Sequence, residues 1–368
     1  MLSVKNPIMT GFFPDPSICR VGNKFYTVHS TFAYFPGVPV FESEDLVHWN
    51  LISNVLDRDS QVPLSGCQHS EGIFAPTIRY HKGTWYMITT NVSDQGNFIV
   101  TAKDPRGPWS EPYYLGESTG GIDPSLFFDD DGTCYYIGQR PRSAGYRYNG
   151  DCEIWIQTLD LDTMQLKPDA TIVLTGFQRK AIWPEGPHLY KKDGYYYILH
   201  AESGTSIHHS VMIARSKNVF GPYEYCPCNP ILTHRHLGAQ YPVTCVGHAD
   251  LVDDGNGNWY MVVLACRPNQ GYTLLGRETF LAKVTWEDGW PVVNAGVGHL
   301  EEVVTLPYEG QPSDDVPQCK TYTFDTPSLP LELLTLRNHR DHELELHAEE
   351  HICLLYTSPS PRDVEESR

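Results

Sequence analysis

The chain is predicted to be all-β: a five-bladed β-propeller followed by the start of a truncated β-sandwich domain. Three observations carry that prediction. A unit of roughly 50–60 residues recurs five times, the spacing of a four-stranded propeller blade with loop insertions. Every copy holds a Gly/Asn/Asp turn followed at once by an aromatic-rich run, the pattern of a hairpin. No segment sustains a 3.6-residue apolar period for long, and 28 Pro with 30 Gly punctuate the chain throughout.

The units read as follows. The first opens at Asp15 in Phe-Phe-Pro-Asp-Pro-Ser, turns at Gly22-Asn23-Lys24 and continues into Phe25-Tyr26. The second opens at Ala75 in Ile-Phe-Ala-Pro-Thr-Ile, turns at Lys82-Gly83-Thr84 and continues into Trp85-Tyr86. The third opens at Asp123 in Gly-Ile-Asp-Pro-Ser-Leu, turns at Asp131-Gly132-Thr133 and continues into Tyr135-Tyr136. The fourth opens at Glu185 in Trp-Pro-Glu-Gly-Pro-His, turns at Asp193-Gly194 and continues into Tyr195-Tyr196-Tyr197. The fifth opens at His248 in Val-Gly-His-Ala-Asp-Leu, turns at Gly255-Asn256-Gly257-Asn258 and continues into Trp259-Tyr260. Third strands follow at Phe98-Ile99-Val100, Ile154-Trp155-Ile156, Val211-Met212-Ile213 and Phe280-Leu281-Ala282. A β-sandwich has similar strands and turns but no reason to repeat at this period. In a propeller, each unit's first strand lines the central channel.

Residues 1–310 are read as the propeller and 317–352 as a fragment of a C-terminal β-sandwich, opened by the β-like stretch Tyr322-Thr323-Phe324-Asp325. Residues 353–363 resemble one reading frame of a sequencing-library adapter, so 353–368 are set aside as foreign to the fold. On this reading the native chain continues past Ile352, and restoring the missing part should improve melting and turnover.

The formal charge of −18 argues against nucleic-acid and anionic-membrane partners and is compatible with a neutral ligand. Hydrophobic content of 40% is ample for a packed core. Ten cysteines show neither metal-type spacing nor a disulfide framework, which points to a reducing compartment. The first residues carry no apolar run of signal-peptide length, and the expected location is cytoplasmic. The Thr233-His234-Arg235-His236 run reads as a loop latch, and Asp129-Asp130-Asp131-Gly132 as a hairpin turn before a calcium site.

A single Asp or Glu in a turn is ordinarily solvated or capping. Asp15, Asp123 and Glu185, read at one register of a repeat, instead suggest carboxylates converging on a common axis, as acid–base cleavage of a glycosidic bond requires. The prolines after Asp15 and Asp123 predict extended backbone at both. Trp183 and Pro184 beside Glu185 favour it as the desolvated, protonated acid, whereas a base must stay ionised.

The chain resembles glycoside hydrolase family 43 in several stretches. These are Phe-Pro-Asp-Pro-Ser (13–17), residues 30–40, 73–83 and 121–132, Ile-Trp-Pro-Glu-Gly-Pro-His (182–188), Val-Gly-His-Ala-Asp-Leu-Val (246–252) and Leu-Gly-Arg-Glu-Thr-Phe (275–280). The resemblance is greatest to the β-xylosidase and α-L-arabinofuranosidase branch. It implies an inverting exo-acting hydrolase that releases xylose from the non-reducing end of β-1,4-xylo-oligosaccharides, with arabinose-substituted oligosaccharides as further substrates. It implies Asp15 as general base, Glu185 as general acid, and Asp123 as the group that positions the acid and raises its pKa. Arg277 would bind sugar hydroxyls, and Phe32, Phe74 and Trp183 would wall the sugar, Phe74 standing where the family often has Trp. His248 would face the substrate or a channel-centre calcium; no cofactor is otherwise required. A homo-oligomer is compatible with this reading. A retaining fructan-cleaving enzyme on a similar scaffold fits less well, because Asp104-Pro105-Arg106 reverses its stabiliser motif. A non-catalytic carbohydrate-binding propeller, or an enzyme weakened by truncation, is the alternative from outside that chemistry.

Overall fold

The computed structural model describes residues 1–116, 120–310, 321–326, 328–338, 344–347 and 352–355. Five antiparallel sheets each run outward in chain order. Blade I comprises Ser17–Val21, Lys24–Val28, Gly37–Ser43 and Asn50–Leu56. Blade II comprises Ile73–His81, Thr84–Asn91, Gly96–Ala102 and Tyr113–Tyr114. Blade III comprises Ile122–Phe128, Cys134–Pro141, Cys152–Asp160 and Gln165–Leu166, with Thr171–Thr175 also paired to the third strand. Blade IV comprises Glu185–Lys192, Tyr195–Glu202, Ser210–Ser216 and Glu224–Tyr225. Blade V comprises Thr244–Asp253, Trp259–Cys266, Glu278–Glu287 and Trp290–Val293. The first strands of successive blades touch in turn and the fifth touches the first, so the ring closes as a five-bladed propeller.

Strand alternation explains why these sequences make blades. Successive side chains point to opposite faces of a sheet, and here both faces are buried. Trp85 and Met87 pack toward blade I, while Tyr86 and Ile88 pack toward blade III. In blade V, Met261 and Val263 face blade IV, and Tyr260 and Val262 face blade I. The apolar core is accordingly divided into five clusters, one at each interface between neighbouring blades.

The amino-terminal segment seals the ring. Leu2–Lys5 pairs antiparallel with Val303–Leu306. The Asn6 side chain then accepts from the Leu281 amide and donates to its carbonyl, both at 2.8 Å. Helix is confined, among the described residues, to two 3-10 turns, Phe177–Arg179 and Arg235–Leu237. His234 is the expected latch: its Nδ1 bonds the Val243 carbonyl at 2.7 Å and its Nε2 accepts from the Leu300 amide at 3.0 Å. Asp129 opens the expected hairpin turn, its carboxylate held by Lys191 and Tyr196.

The stretch at 322–325, read as the opening of a sandwich strand, forms no strand; Phe324 at φ 48° leaves the extended region. Beyond residue 310 the described pairing is Thr335–Leu336 against Tyr34–Phe35 of blade I, and the hairpin of Leu344–His347 with Ile352–Leu355. Residues 353–355, set aside with the adapter-like segment, pair in that hairpin, while 356–368 lie outside the described residues.

Candidate active site

A bulge recurs at the inner end of the first strands. Pairing slips between Phe74 and Thr77 in blade II, Ile122 and Ser125 in blade III, and Glu185 and His188 in blade IV. The residue that follows the first of each pair is left-handed: Ala75 at φ 26°, Asp123 at 56° and Gly186 at 58°. Asp15 at 53° and His248 at 49° are their counterparts in blades I and V.

Two expectations are thereby corrected. Glu185 does not share the register of Asp15 and Asp123; it stands one residue earlier, and Gly186 takes the shared position. Asp15 and Asp123 are also not extended, because the bulge demands a positive φ that outweighs the bias of the following proline. Gly186 suits its place for a second reason: a Cβ there would come within 3.1 Å of the His248 ring.

Asp15 is held from several sides. Ser30 Oγ accepts from the Ala75 amide at 2.7 Å and donates to Asp15 Oδ2 at 2.6 Å. Arg277 Nη1 donates to Asp15 Oδ1 at 2.8 Å, and His248 Nδ1 lies 3.7 Å from the same oxygen. Burial alone would raise the Asp15 pKa. The charges of Arg277 and His248, the Ser30 hydroxyl and His209 outweigh it, so the carboxyl lies below the usual aspartate range.

Glu185 goes the other way. Burial is the largest cause, the negative charges of Asp123 and Asp15 add to it, and Arg277 opposes without prevailing; its carboxyl is held well above the usual glutamate range. Asp123 is pushed up to about 6, by burial first and Asp15 next among the raising causes, against His248, the Gly186 amide and Arg277. Asp123 Oδ2 accepts the Gly186 N–H at 3.0 Å, which ties it to the backbone directly after Glu185. A carboxyl held below its usual range thus lies within electrostatic reach of one held well above it, the opposed setting that acid–base chemistry uses.

Of the residues expected to wall a sugar, Phe32 and Phe74 are in contact with each other, and Trp183 lines a cleft together with Glu185. Phe32 and Phe74 meet edge-on at 5.0 Å between ring centroids, and the Arg277 guanidinium carbon lies 4.9 Å from the Phe32 centroid. Trp183 is 41% exposed at the rim. A cleft of about 920 Å³ is lined by Glu185 and Trp183 together with Asn91, Gln139 and Tyr146. A second, of about 700 Å³, opens beside Ser30, Phe12, Tyr34 and Leu275.

Charged side-chain oxygens are few around the expected calcium position at His248. A hard cation needs six to eight oxygens, and no group of three or more His, Cys, Asp or Glu among the described residues is arranged for a metal. Of the carboxyl groups near His248, Asp15 is already paired with Arg277, and Asp123 accepts from the Gly186 amide. Farther along the channel Asp250 is taken up by Arg79 at 3.0 Å and by the Ser17 and Tyr190 hydroxyls.

Ser30, Phe12 and His209 join the site without having been singled out in the sequence. Phe12 lies 5.8 Å from Phe32. His209 is buried, bonds the Cys245 carbonyl through Nδ1 at 3.0 Å, and packs so closely over Gly247 that a Cβ there would stand 2.4 Å from the ring. Only Ser30 had a local signal, since Ser-Thr-Phe follows just after the second strand of blade I, level with Asp15.

A closed five-bladed ring with paired acidic groups at one mouth defines the class of glycosidase-type propellers. The model of glycosyl hydrolases family 43 matches residues 4–291, and the chain belongs to that family. It is 66% identical over 307 residues to a xylosidase/arabinosidase of Butyrivibrio fibrisolvens, covering 83% of this chain and 59% of the relative. It is 44% identical over 346 residues to a non-reducing end alpha-L-arabinofuranosidase of Bacteroides ovatus, covering 91% of this chain and 61% of the relative. The structure of a xylan beta-1,4-xylosidase from Bacillus halodurans superposes with a TM-score of 0.83 at 40% identity, over 93% of this chain and 66% of that one. The chain thus spans about six-tenths of the length of the curated relatives it matches. No helix among the described residues is long and apolar enough to cross a membrane.

Proposed function

We propose that this protein is an inverting exo-glycoside hydrolase that releases xylose from the non-reducing end of β-1,4-xylo-oligosaccharides and also cleaves terminal α-L-arabinofuranosides. The observation that carries the reading is the opposed setting of two carboxyl groups: Asp15 below its usual range and Glu185 well above it, around one mouth. The names of the relatives, xylosidase/arabinosidase, arabinofuranosidase and xylan beta-1,4-xylosidase, support the choice of pentosides.

In this reading Asp15 takes a proton from a water, whose oxygen bonds to the anomeric carbon as the glycosidic C–O bond breaks. Glu185 delivers its proton to the departing oxygen. Attack from the side opposite the leaving group inverts the anomeric centre, and the carboxyl separation suited to this is about 6.5–9.5 Å. Asp123 keeps the Glu185 proton on by its charge and holds the backbone behind it. Phe32, Phe74 and Trp183 enclose the sugar, while Arg277 presents its guanidinium between Asp15 and the sugar hydroxyls. The eight described cysteines are all unpaired, which accords with a cytoplasmic setting where short imported oligosaccharides are hydrolysed.

Glu185→Gln tests the assignment. Turnover of xylobiose should fall by about 10³-fold or more, as loss of a general acid demands, with a smaller loss on an aryl pentoside whose leaving group needs little protonation. An unchanged rate on xylobiose refutes it. Proton NMR of the first product should show α-xylose from a β-xyloside.

A further inference from the structure

We propose that Gly204 is a positioning residue: it seats the Trp183 ring and so fixes how thick a leaving group the cleft beside Glu185 admits. Trp183 and Glu185 line that cleft together, while Gly204 lies behind the ring, outside the lining. A Cβ built on Gly204 would stand 2.8 Å from Trp183 Cε3 and 3.2 Å from Cζ3. Both distances fall inside the contact separation of two carbons, about 3.5–4.0 Å. The indole therefore rests on bare backbone.

The main chain beneath the ring is in no position to take up that contact. Three successive residues are tied to three different partners. The Ala181 carbonyl accepts from the Tyr148 hydroxyl at 2.9 Å, and the Ile182 carbonyl accepts from the Ser203 amide at 2.8 Å. The Trp183 amide donates to the Gly150 carbonyl at 2.8 Å. Trp183 is itself left-handed at φ 47°, a conformation that persists where its surroundings over-determine it. Tyr148 and Gly150 belong to the loop between the second and third strands of blade III, and Ser203 to the corresponding loop of blade IV. The arch is thus held from two blades. What is left to move is the ring, which is 41% exposed.

Glu185, as the proposed acid, protonates the departing oxygen, so the leaving group lies in the cleft that Trp183 walls. A side chain at position 204 drives the ring off its seat, away from Gly204 and into that cleft. It adds no charge near Glu185. A puckered pyranose is thicker than a flat aryl ring, so a narrowed cleft excludes the sugar first. Glycine at this position thereby favours a sugar over an aryl group as the leaving group.

The selectivity rests on the proposed hydrolase reading, whereas the seat does not, so the two can fail separately. Gly204→Ala, Trp183→Phe and the double variant are compared with wild type. Phenylalanine lacks the two indole carbons that the added methyl meets. In Gly204→Ala, kcat/KM on xylobiose relative to p-nitrophenyl β-xyloside should fall by about tenfold, the scale of one methylene in a fitted pocket. The loss should appear in KM, with the alkaline limb of the pH profile unmoved. Combined with Trp183→Phe, the same substitution should change that ratio by less than about twofold. A crystal structure of Gly204→Ala should show the ring turned into the cleft. An unchanged ratio overturns the proposal, as does an unmoved ring. An equal fall in the Trp183→Phe background also overturns it, because backbone strain at φ 58° is then the cause. A Gly204→Ala chain that folds only together with Trp183→Phe supports the seat; one that folds in neither background overturns it. If the wild type cleaves no pentoside, the hydrolase reading fails and the ring position alone decides the seat.

Discussion

Arg277 donates from Nη1 to Asp15 Oδ1 at 2.8 Å while its guanidinium carbon lies 4.9 Å from the Phe32 centroid. One cation from blade V thus sets the charge state of a carboxylate at the mouth of blade I and braces the aromatic wall beside it. Removing it should show in the pH profile before anything else. Arg277 lowers the Asp15 pKa, so Arg277→Gln raises it, and a base that must be ionised then loses activity at higher pH than in the wild type. The acid limb of kcat/KM should move upward, with a loss of about 10²-fold at its optimum; an unmoved acid limb counts against the pairing.

Asp123 governs the opposite limb. Its charge is the second cause, after burial, of the raised Glu185 pKa. Asp123→Asn removes that charge, so Glu185 gives up its proton at lower pH and the alkaline limb should shift down. Turnover at the optimum should fall by about 10²-fold, and a pH titration of kcat against wild type checks both.

Glu185 should cost the fold stability that it lends to function. Its carboxyl is held protonated in the folded chain above the pH at which the unfolded chain ionises. A raised folded pKa means stability is lost as pH rises from the unfolded pKa toward the folded one. At neutral pH Glu185→Gln should therefore raise the melting temperature, by a gain of order 1 kcal/mol typical of relieved active-site conflict. The gain should shrink below pH 4.

Arg79 offers a structural contrast within the same channel. It pairs at 3.0 Å with Asp250, a fully buried carboxylate lowered to about 2 by this guanidinium, with His188 and Tyr190 also lowering it, against burial. Arg79→Met leaves that charge unpaired and should destabilise by about 3–5 kcal/mol, measured by urea unfolding. Gly247→Ala should cost about 1–3 kcal/mol by overpacking, since the added methyl would meet the His209 ring at 2.4 Å.

The blades were legible because hairpin turns and aromatic alternation are local signals repeated five times. The one-residue offset of Glu185 was misread because two prolines bracket it. Aligning Pro16, Pro76, Pro124 and Pro187 places Gly186, not Glu185, beside Asp15 and Asp123. The left-handed backbone at Asp15 and Asp123 was hidden for a different reason: a bulge depends on how two strands pair, and the pre-proline rule is blind to that. His209 lay beyond sequence reasoning altogether. It bonds the Cys245 carbonyl of blade V from the loop that enters the third strand of blade IV, an adjacency that exists only after folding.

The seal between Leu2–Lys5 and Val303–Leu306 has a bearing on synthesis. Asp15 leaves the ribosome early, yet Arg277 and His248, which complete its surroundings, come from the fifth blade. Until residue 306 has emerged the opening strand has no mate, and until blade V has emerged blade I presents a bare apolar flank to water. Nascent chains stalled before that point should therefore be inactive, and they are the ones a chaperone would be expected to hold.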